Sequence, residues 1–241
     1  MNYQNVPKAA LILAGGEGKR LRPLTYQLPK PLIQVNGKPI LEYSIKELEK
    51  NGIKEMIISV GYKGEKIINY IKSRKKSTSK ITFVKEDTLL GTGGAIKLAF
   101  EKYKFDDILV INGDNIFELD IAKMYKLHKK SNALITMALV KLKDVTGTGV
   151  VVFNGRTITE FTEKPLPSEA KSNITNAGIQ IINKKILEKM PNAESFSFEK
   201  DMLPKIIENK NKISGLIINN FYTVNTIGQL KEVEEKLKNG V

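Results

Sequence analysis

The chain has 241 residues, 41% of them hydrophobic, enough to bury a sizeable core in one large domain. It contains no cysteine, which excludes disulfides, thiolate nucleophiles and thiolate metal sites. The formal net charge of +13 admits a polyanionic partner, but the excess is lysine spread through every segment, which reads first as compositional bias.

Residues 9–13 form a short apolar run suited to a buried parallel strand, and residues 39–51 follow with Leu41, Ile45 and Leu48 at helical spacing, closed by Gly52. Residues 56–60 read as a strand, Ile67, Ile68 and Ile71 mark a helix, and residues 81–84 are a strand. A helix over 94–103, a strand over 108–111 and a helix over 121–130 complete the front half. Such β-α repetition predicts a parallel sheet with helices on both faces.

Beyond about residue 132 the rhythm changes. Residues 133–142 and 149–153 read as strands, and Asn154-Gly155 is a hairpin turn leading into a strand over 156–161. Further strands are expected over 177–182, 213–218 and 221–224, with helices over 184–190 and 198–209 and a last helix carrying Ile227, Leu230, Val233 and Leu237. No linker or repeat divides the halves, so one domain over 1–241 is expected, mostly parallel at the front and mixed at the back. No apolar run approaches the roughly 18–20 residues of a membrane helix, and residues 1–8 lack a signal pattern; a cytoplasmic protein with no membrane partner is the expectation. The one histidine, His128, falls on an expected surface helix with no partner near it in sequence, and no role is assigned to it.

Arginine is more telling than lysine. Only Arg20, Arg22, Arg74 and Arg156 occur, and two share one glycine-rich loop, which points to planar recognition of phosphate. That loop, Ala14-Gly15-Gly16-Glu17-Gly18-Lys19-Arg20-Leu21-Arg22-Pro23, follows the first strand. Its glycines let backbone N–H groups approach an anion without a Cβ in the way. It is not a Walker A loop, because Leu13 stands where that motif needs its first glycine and Arg20 where it needs Ser or Thr. Nor is it a dinucleotide fingerprint, because Leu21 occupies the third glycine's place.

The loop continues through Pro29-Lys30-Pro31 to Gly37-Lys38-Pro39, and residues 13–42 together closely resemble the signature of the sugar-1-phosphate nucleotidyltransferases. Weaker matches follow at residues 86–95, at Asn112-Gly113-Asp114, at Glu163-Lys164-Pro165 and at Asn176-Ala177-Gly178. The resemblance implies an α/β fold of one large domain with a Rossmann-like, mixed but mainly parallel sheet, of the nucleotide-diphospho-sugar transferase type. Residues 8–132 would then form a nucleotide-binding half and residues 133–241 a sugar-binding half. It implies transfer of a nucleotidyl group from a nucleoside triphosphate to a sugar 1-phosphate, releasing pyrophosphate, with magnesium as cofactor.

Residue by residue, Arg20 and Lys30 carry over as catalytic cations, and Leu13, Ala14, Gly15, Gly16, Gly18, Lys19, Glu86, Gly91 and Thr92 as nucleotide-binding positions. Gly149, Glu163, Lys164 and Asn176 carry over as sugar-phosphate-binding positions, and Asp114 as a metal ligand. The family's second metal carboxylate is replaced here by Thr223, leaving Thr223 or Asn225 as the second ligand. The chemistry suits these residues, because joining two anions in line needs neutralising charge and alignment more than acid–base groups.

Leu90-Gly91-Thr92-Gly93-Gly94-Ala95 is most similar to guanylyltransferases acting on mannose or heptose 1-phosphate, whereas residues 113–117 are more similar to thymidylyltransferases for glucose 1-phosphate. GTP with a mannose-like sugar is the main expectation, and dTTP or UTP with glucose 1-phosphate the alternative. Thr223 also keeps open a non-catalytic, regulatory sugar-nucleotide-binding subunit. A nucleic-acid partner is not expected, since no stacking series is present, and homo-oligomers are common in such families.

Overall fold

The computed structural model describes residues 5–238; residues 1–4 of the stretch read above for a signal pattern lie outside it. The chain runs through β1 (Ala9–Ala14), a small hairpin of β2 (Gln34–Val35) and β3 (Lys38–Pro39), and α1 (Ile40–Lys50). It continues through β4 (Glu55–Val60), α2 (Gly64–Ser73), β5 (Lys80–Lys85), α3 (Gly91–Lys102), β6 (Asp107–Asn112), β7 (Asn115–Phe117) and α4 (Ile121–Ser131). The back half holds β8 (Ile135–Lys141), β9 (Gly149–Phe153), β10 (Ile158–Glu163), β11 (Ile174–Asn183), α5 (Leu203–Glu208), β12 (Ile213–Ile217), β13 (Phe221–Thr223) and α6 (Ile227–Lys238). Among these residues no helix is long and apolar enough to cross a membrane.

One nine-stranded sheet runs through both halves. β6, β1, β4 and β5 lie side by side and parallel. Antiparallel β11 joins the edge of β6 and pairs with β8, which β12 extends in parallel. The hairpin of β9 and β10 attaches to β11 at Thr175. The mixed, mainly parallel sheet expected from the sequence is therefore observed.

The pleat explains the layers, because successive residues of a strand face opposite sides. Ala10, Ile12 and Ala14 of β1 pack with Leu41, Ile45 and Leu48 of α1, Ile67 and Ile68 of α2 and Met124 of α4. Ala9 and Leu11 face the other way, onto Ile96, Ala99 and Phe100 of α3 and Leu203 and Ile206 of α5. Strands covered on both faces are apolar throughout, which is why β1 shows no polar alternation. A third cluster, with Leu21, Ile33, Val35, Ile116, Val224 and Val233, fixes α6 under the loop that follows β1.

The structure departs from the sequence reading at several points. Residues 198–208 are helical as expected, but not uniformly: Phe198–Met202 is a wide π-type turn that runs directly into α5 at Leu203. Pro204 lies in the first turn of α5 and has no N–H to continue a helical ladder from upstream. His128 is not on a solvated face but buried, with Nε2 3.3 Å from Asp107 Oδ1 and Nδ1 2.9 Å from Thr136 Oγ1. Its partners come from β6 and β8, so neighbours along the chain could not disclose them. Arg74, outside the glycine-rich loop, makes a structural pair. Its Nε and Nη2 donate to the two oxygens of Glu42 at 2.9 and 3.1 Å, bracing the end of α2 against α1.

Candidate active site

The carboxyl ends of β1, β4, β5 and β6 open on one edge of the sheet, where α/β folds place ligands. From β1 the chain turns into the glycine-rich loop, and each tight contact there has a steric reason. A Cβ on Gly15 would lie 2.6 Å from Glu86 Oε1, so only glycine passes beneath that carboxylate. Gly18 has φ of +63°, and a Cβ there would press on Lys30 and Thr25 at 3.0 Å. Thr25 Oγ1 donates to Gly18 O at 3.1 Å and holds the turn. Of the loop cations, Arg20 faces the cleft. Lys19 lines its rim but reaches Glu17 at 3.4 Å, and Arg22 also pairs with Glu17, at 3.3 Å, while stacking over Tyr26.

Lys30 sits on a single 3-10 turn, Lys30–Leu32, between Pro29 and Pro31. Its Nζ donates to Asp114 Oδ2 and, at 2.8 Å, to Asn225 Oδ1. Arg20 Nη2 donates to the same amide oxygen at 2.8 Å. Two cationic donors on one atom identify it as the oxygen of the amide, since an NH₂ group cannot accept. Asn225 Nδ2 then donates to Thr223 Oγ1 at 3.0 Å, so the threonine hydroxyl keeps the amide oxygen turned to the cations. Asp114 reaches this point because β6 ends at Asn112 and Gly113 turns tightly, its N–H bonded to Leu13 O at 2.9 Å.

Two cavities meet here. The larger, about 530 Å³, is lined by the glycine-rich loop, Lys30, Glu86, Gly91 and Thr92, a volume within the range of small-molecule sites. Glu86 Oε1 accepts from Ser59 Oγ at 2.7 Å and Oε2 from Leu90 N at 3.2 Å, so the carboxylate is held in place. The smaller cavity, about 250 Å³, is lined by Gly149, Glu163, Lys164 and Asn176. Lys164 Nζ lies 3.0 Å from Glu163 Oε1. A Cβ on Gly149 would come within 2.9 Å of Glu163 Oε2, which accounts for glycine there. Between Asn176 and Gln180 the pairing of β11 with β8 shifts register around Gly178, at φ of +66°, and this bulge turns Asn176 and Ala177 toward the cavity.

Arg20, Thr92, Asn112, Asp114 and Asn225 line both cavities. Arg20 and the Asp114 carboxylate thus lie at the seam, where groups from two ligands would meet, and Lys30 of the larger cavity reaches it through Asp114 and Asn225. The structure gathers every position expected from the sequence around these two cavities. Reading the sequence missed Asn112 and Glu199, which also line the smaller cavity. Asn112 closes a strand within the Asn-Gly-Asp match, which was the available signal; Glu199 stands in the run taken as helix and gave none.

A parallel-strand edge with two adjoining cavities and a cation and a carboxylate at their seam is the site of an α/β transferase that brings two anionic ligands together. The chain belongs to the nucleotidyl transferase family, which it matches over residues 9–237, as the resemblance of residues 13–42 implied. It is 42% identical over 196 residues to the D-glycero-alpha-D-manno-heptose 1-phosphate guanylyltransferase of Aneurinibacillus thermoaerophilus, covering 81% of this chain and 84% of that one. It is 37% identical to the mannose-1-phosphate guanyltransferase of Yarrowia lipolytica, of which it spans only 54% while 81% of this chain is covered. Among solved structures, HddC from Yersinia pseudotuberculosis superposes with a TM-score of 0.81 at 32% identity, covering 95% of this chain and 99% of that one. The same protein has been solved in complex with GMP-PN. A UDP-glucose pyrophosphorylase, at 20% identity and a TM-score of 0.82, shares the fold.

Proposed function

We propose that this protein transfers a guanylyl group from GTP to mannose 1-phosphate or a related heptose 1-phosphate, releasing pyrophosphate. The observation that carries the base assignment is Glu86, fixed by Ser59 and Leu90 above Gly15 in the larger cavity. Each of its oxygens keeps a further acceptor site. Guanine offers two adjacent donors, N1–H and N2–H₂, which a carboxylate accepts together. Uracil and thymine offer one N–H between two carbonyls, which a carboxylate repels. The guanylyltransferase relatives support the same choice.

In this reading residues 8–132 bind the nucleotide and residues 133–241 the sugar phosphate. A sugar-phosphate oxygen attacks the α-phosphorus in line as pyrophosphate leaves. Arg20 and Lys30, at the seam, neutralise the approaching phosphates and hold them in alignment, which is the main requirement of such a displacement. Asp114 and Asn225 offer one carboxylate and one amide oxygen, both within reach of Lys30. These are hard donors, and they suit magnesium, which takes few protein oxygens and completes its shell with phosphate and water. Asn225 would serve as the second ligand, with Thr223 its orienting partner, once bound phosphates draw Arg20 and Lys30 away from its amide oxygen, whose two lone pairs they occupy here. When bound, the metal supplies further positive charge beside the phosphates.

The test is pyrophosphate release from GTP, UTP, dTTP, CTP and ATP, each with mannose, heptose and glucose 1-phosphates. GTP with mannose or heptose 1-phosphate should give the highest kcat/KM. Glu86→Gln should lower kcat/KM for GTP at least tenfold and narrow the gap to UTP, since a site that loses one matched acceptor discriminates less. Highest activity with dTTP or UTP and glucose 1-phosphate would overturn the base assignment. Pyrophosphate from no pair would leave the non-catalytic subunit as the better reading.

A further inference from the structure

Besides Glu163 and Asp114, the smaller cavity holds a third carboxyl group, from a part of the chain that the motif does not touch. Glu199 stands on the Phe198–Met202 turn, half-buried, and lines the same chamber as Glu163. Its Oε2 accepts from Thr92 Oγ1 at 2.5 Å and lies 3.3 Å from Ser197 Oγ. Thr92 Oγ1 in turn accepts from Phe198 N at 2.9 Å, so the start of α3 and the turn lock each other. The two segments touch closely: a Cβ on Gly93 would lie 2.2 Å from the Phe196 ring, and one on Gly94 2.2 Å from Glu194 O. The glycines of residues 91–94 therefore serve this contact and set where Glu199 points.

Glu163 and Glu199 differ in what balances them. Glu163 has the Lys164 ammonium at 3.0 Å, whereas Glu199 makes no ion pair among the described residues. Burial, and secondarily the charge of Glu163, push the Glu199 carboxyl above its ordinary range, against the opposing hydrogen bond from Thr92. Beside Asp114, the chamber thus presents one carboxyl group held by an ammonium and one held by hydroxyls.

Building on the sugar-phosphate reading above, we propose that Glu199 is a specificity-determining residue that hydrogen-bonds one ring hydroxyl of the sugar beside Glu163. Thr92, which lines both cavities, is its positioning residue and ties the sugar chamber to the nucleotide chamber. A polar group built to bind a hydroxyl rejects an analogue that lacks it, because the group is then left unpaired.

The experiment measures pyrophosphate release with GTP and either mannose 1-phosphate, D-glycero-α-D-manno-heptose 1-phosphate, or the monodeoxy analogues of mannose 1-phosphate. Glu199→Gln keeps the size and the contact with Thr92, and Glu199→Ala removes both. The Gln variant should raise KM for the sugar phosphate about tenfold and the Ala variant more, with KM for GTP within twofold of wild type. One deoxy analogue should be penalised at least tenfold by the wild type and not by Glu199→Ala. Folded variants with unchanged sugar KM and unchanged discrimination overturn the proposal. So does an equal rise in both KM values, which would make Glu199 a structural brace of Thr92. A wild type that releases no pyrophosphate with any sugar phosphate fails earlier, and overturns the sugar-phosphate reading together with this one.

Discussion

At the scale of single residues, Lys30 concentrates most of the site's design. Two prolines stiffen its turn, and its ammonium reaches Asp114 and Asn225 from different ends of the chain. A charge stabiliser placed before the reaction contributes most to rate, and removing one typically costs ~10²–10³ in turnover. Lys30→Ala should therefore lose at least about a hundredfold in kcat while its thermal melt stays close to wild type. Steady-state pyrophosphate release and a melting curve check both statements, and near-wild-type turnover would take Lys30 out of the reacting centre. The replacement of an expected carboxylate by Thr223 acquires a physical role here. Its hydroxyl accepts from Asn225 Nδ2, so the neighbouring amide, not the threonine, presents oxygen to the seam.

Elements are held by contacts that the cleft does not use. Arg74, at the end of α2, is 8% exposed in its side chain, and Glu42 of α1 12%. Tyr70 donates to the same carboxylate at 2.9 Å; burial first, and the hydrogen bond to Glu42 second, push its hydroxyl up to about 12. Deleting one partner of a buried pair strands the other charge, at a cost on the order of 3–5 kcal/mol. Arg74→Ala should lower unfolding stability by about 3 kcal/mol in a denaturant titration, with kcat of the folded protein unchanged. The second expectation follows from direction: α2 runs back against its strands, so its last residue lies at the end of the sheet opposite the cleft. A loss of kcat without loss of stability would contradict that placement.

For the molecule as a whole, a polar cluster at the far end of β6 joins four elements. Asp107 is bonded by His128 and Lys129 of α4 and by Asn183 of β11, and His128 in turn by Thr136 of β8. Burial works against ionisation of Asp107, but hydrogen bonds from His128, Lys129 and Asn183 outweigh it and hold the carboxyl far below the usual carboxylate range. A depressed folded-state value means that the unfolded chain binds the proton more readily. The stability it contributes is therefore fully present above the ordinary value near 3.8 and is lost as pH falls below it. Melting temperature followed from pH 6 to pH 3 should drop steeply for the wild type below about pH 4. Asp107→Asn should start lower at pH 6 and fall less steeply below pH 4. Parallel curves would assign the acid sensitivity to other carboxylates.

The front of the sheet, the glycine-rich loop and the two cations were legible because each depends on neighbours in the chain. A buried strand shows as an apolar run, a turn as glycine, and the lysine of the cleft as a charge between two prolines. The same locality made Asp114 readable, one tight turn beyond a strand end. Residues whose meaning lies across the sheet were not legible: His128 looked solvated until β6 supplied Asp107, and Arg74 had no assigned role until α1 supplied Glu42. Glu199 looked like any other helical residue until Thr92 of α3 bound its carboxyl at the smaller cavity. Local stereochemistry determines which elements form and which loops can approach an anion. Pairing between residues some 20 to 200 positions apart was decided only by tertiary packing, which sets what each buried charge must face.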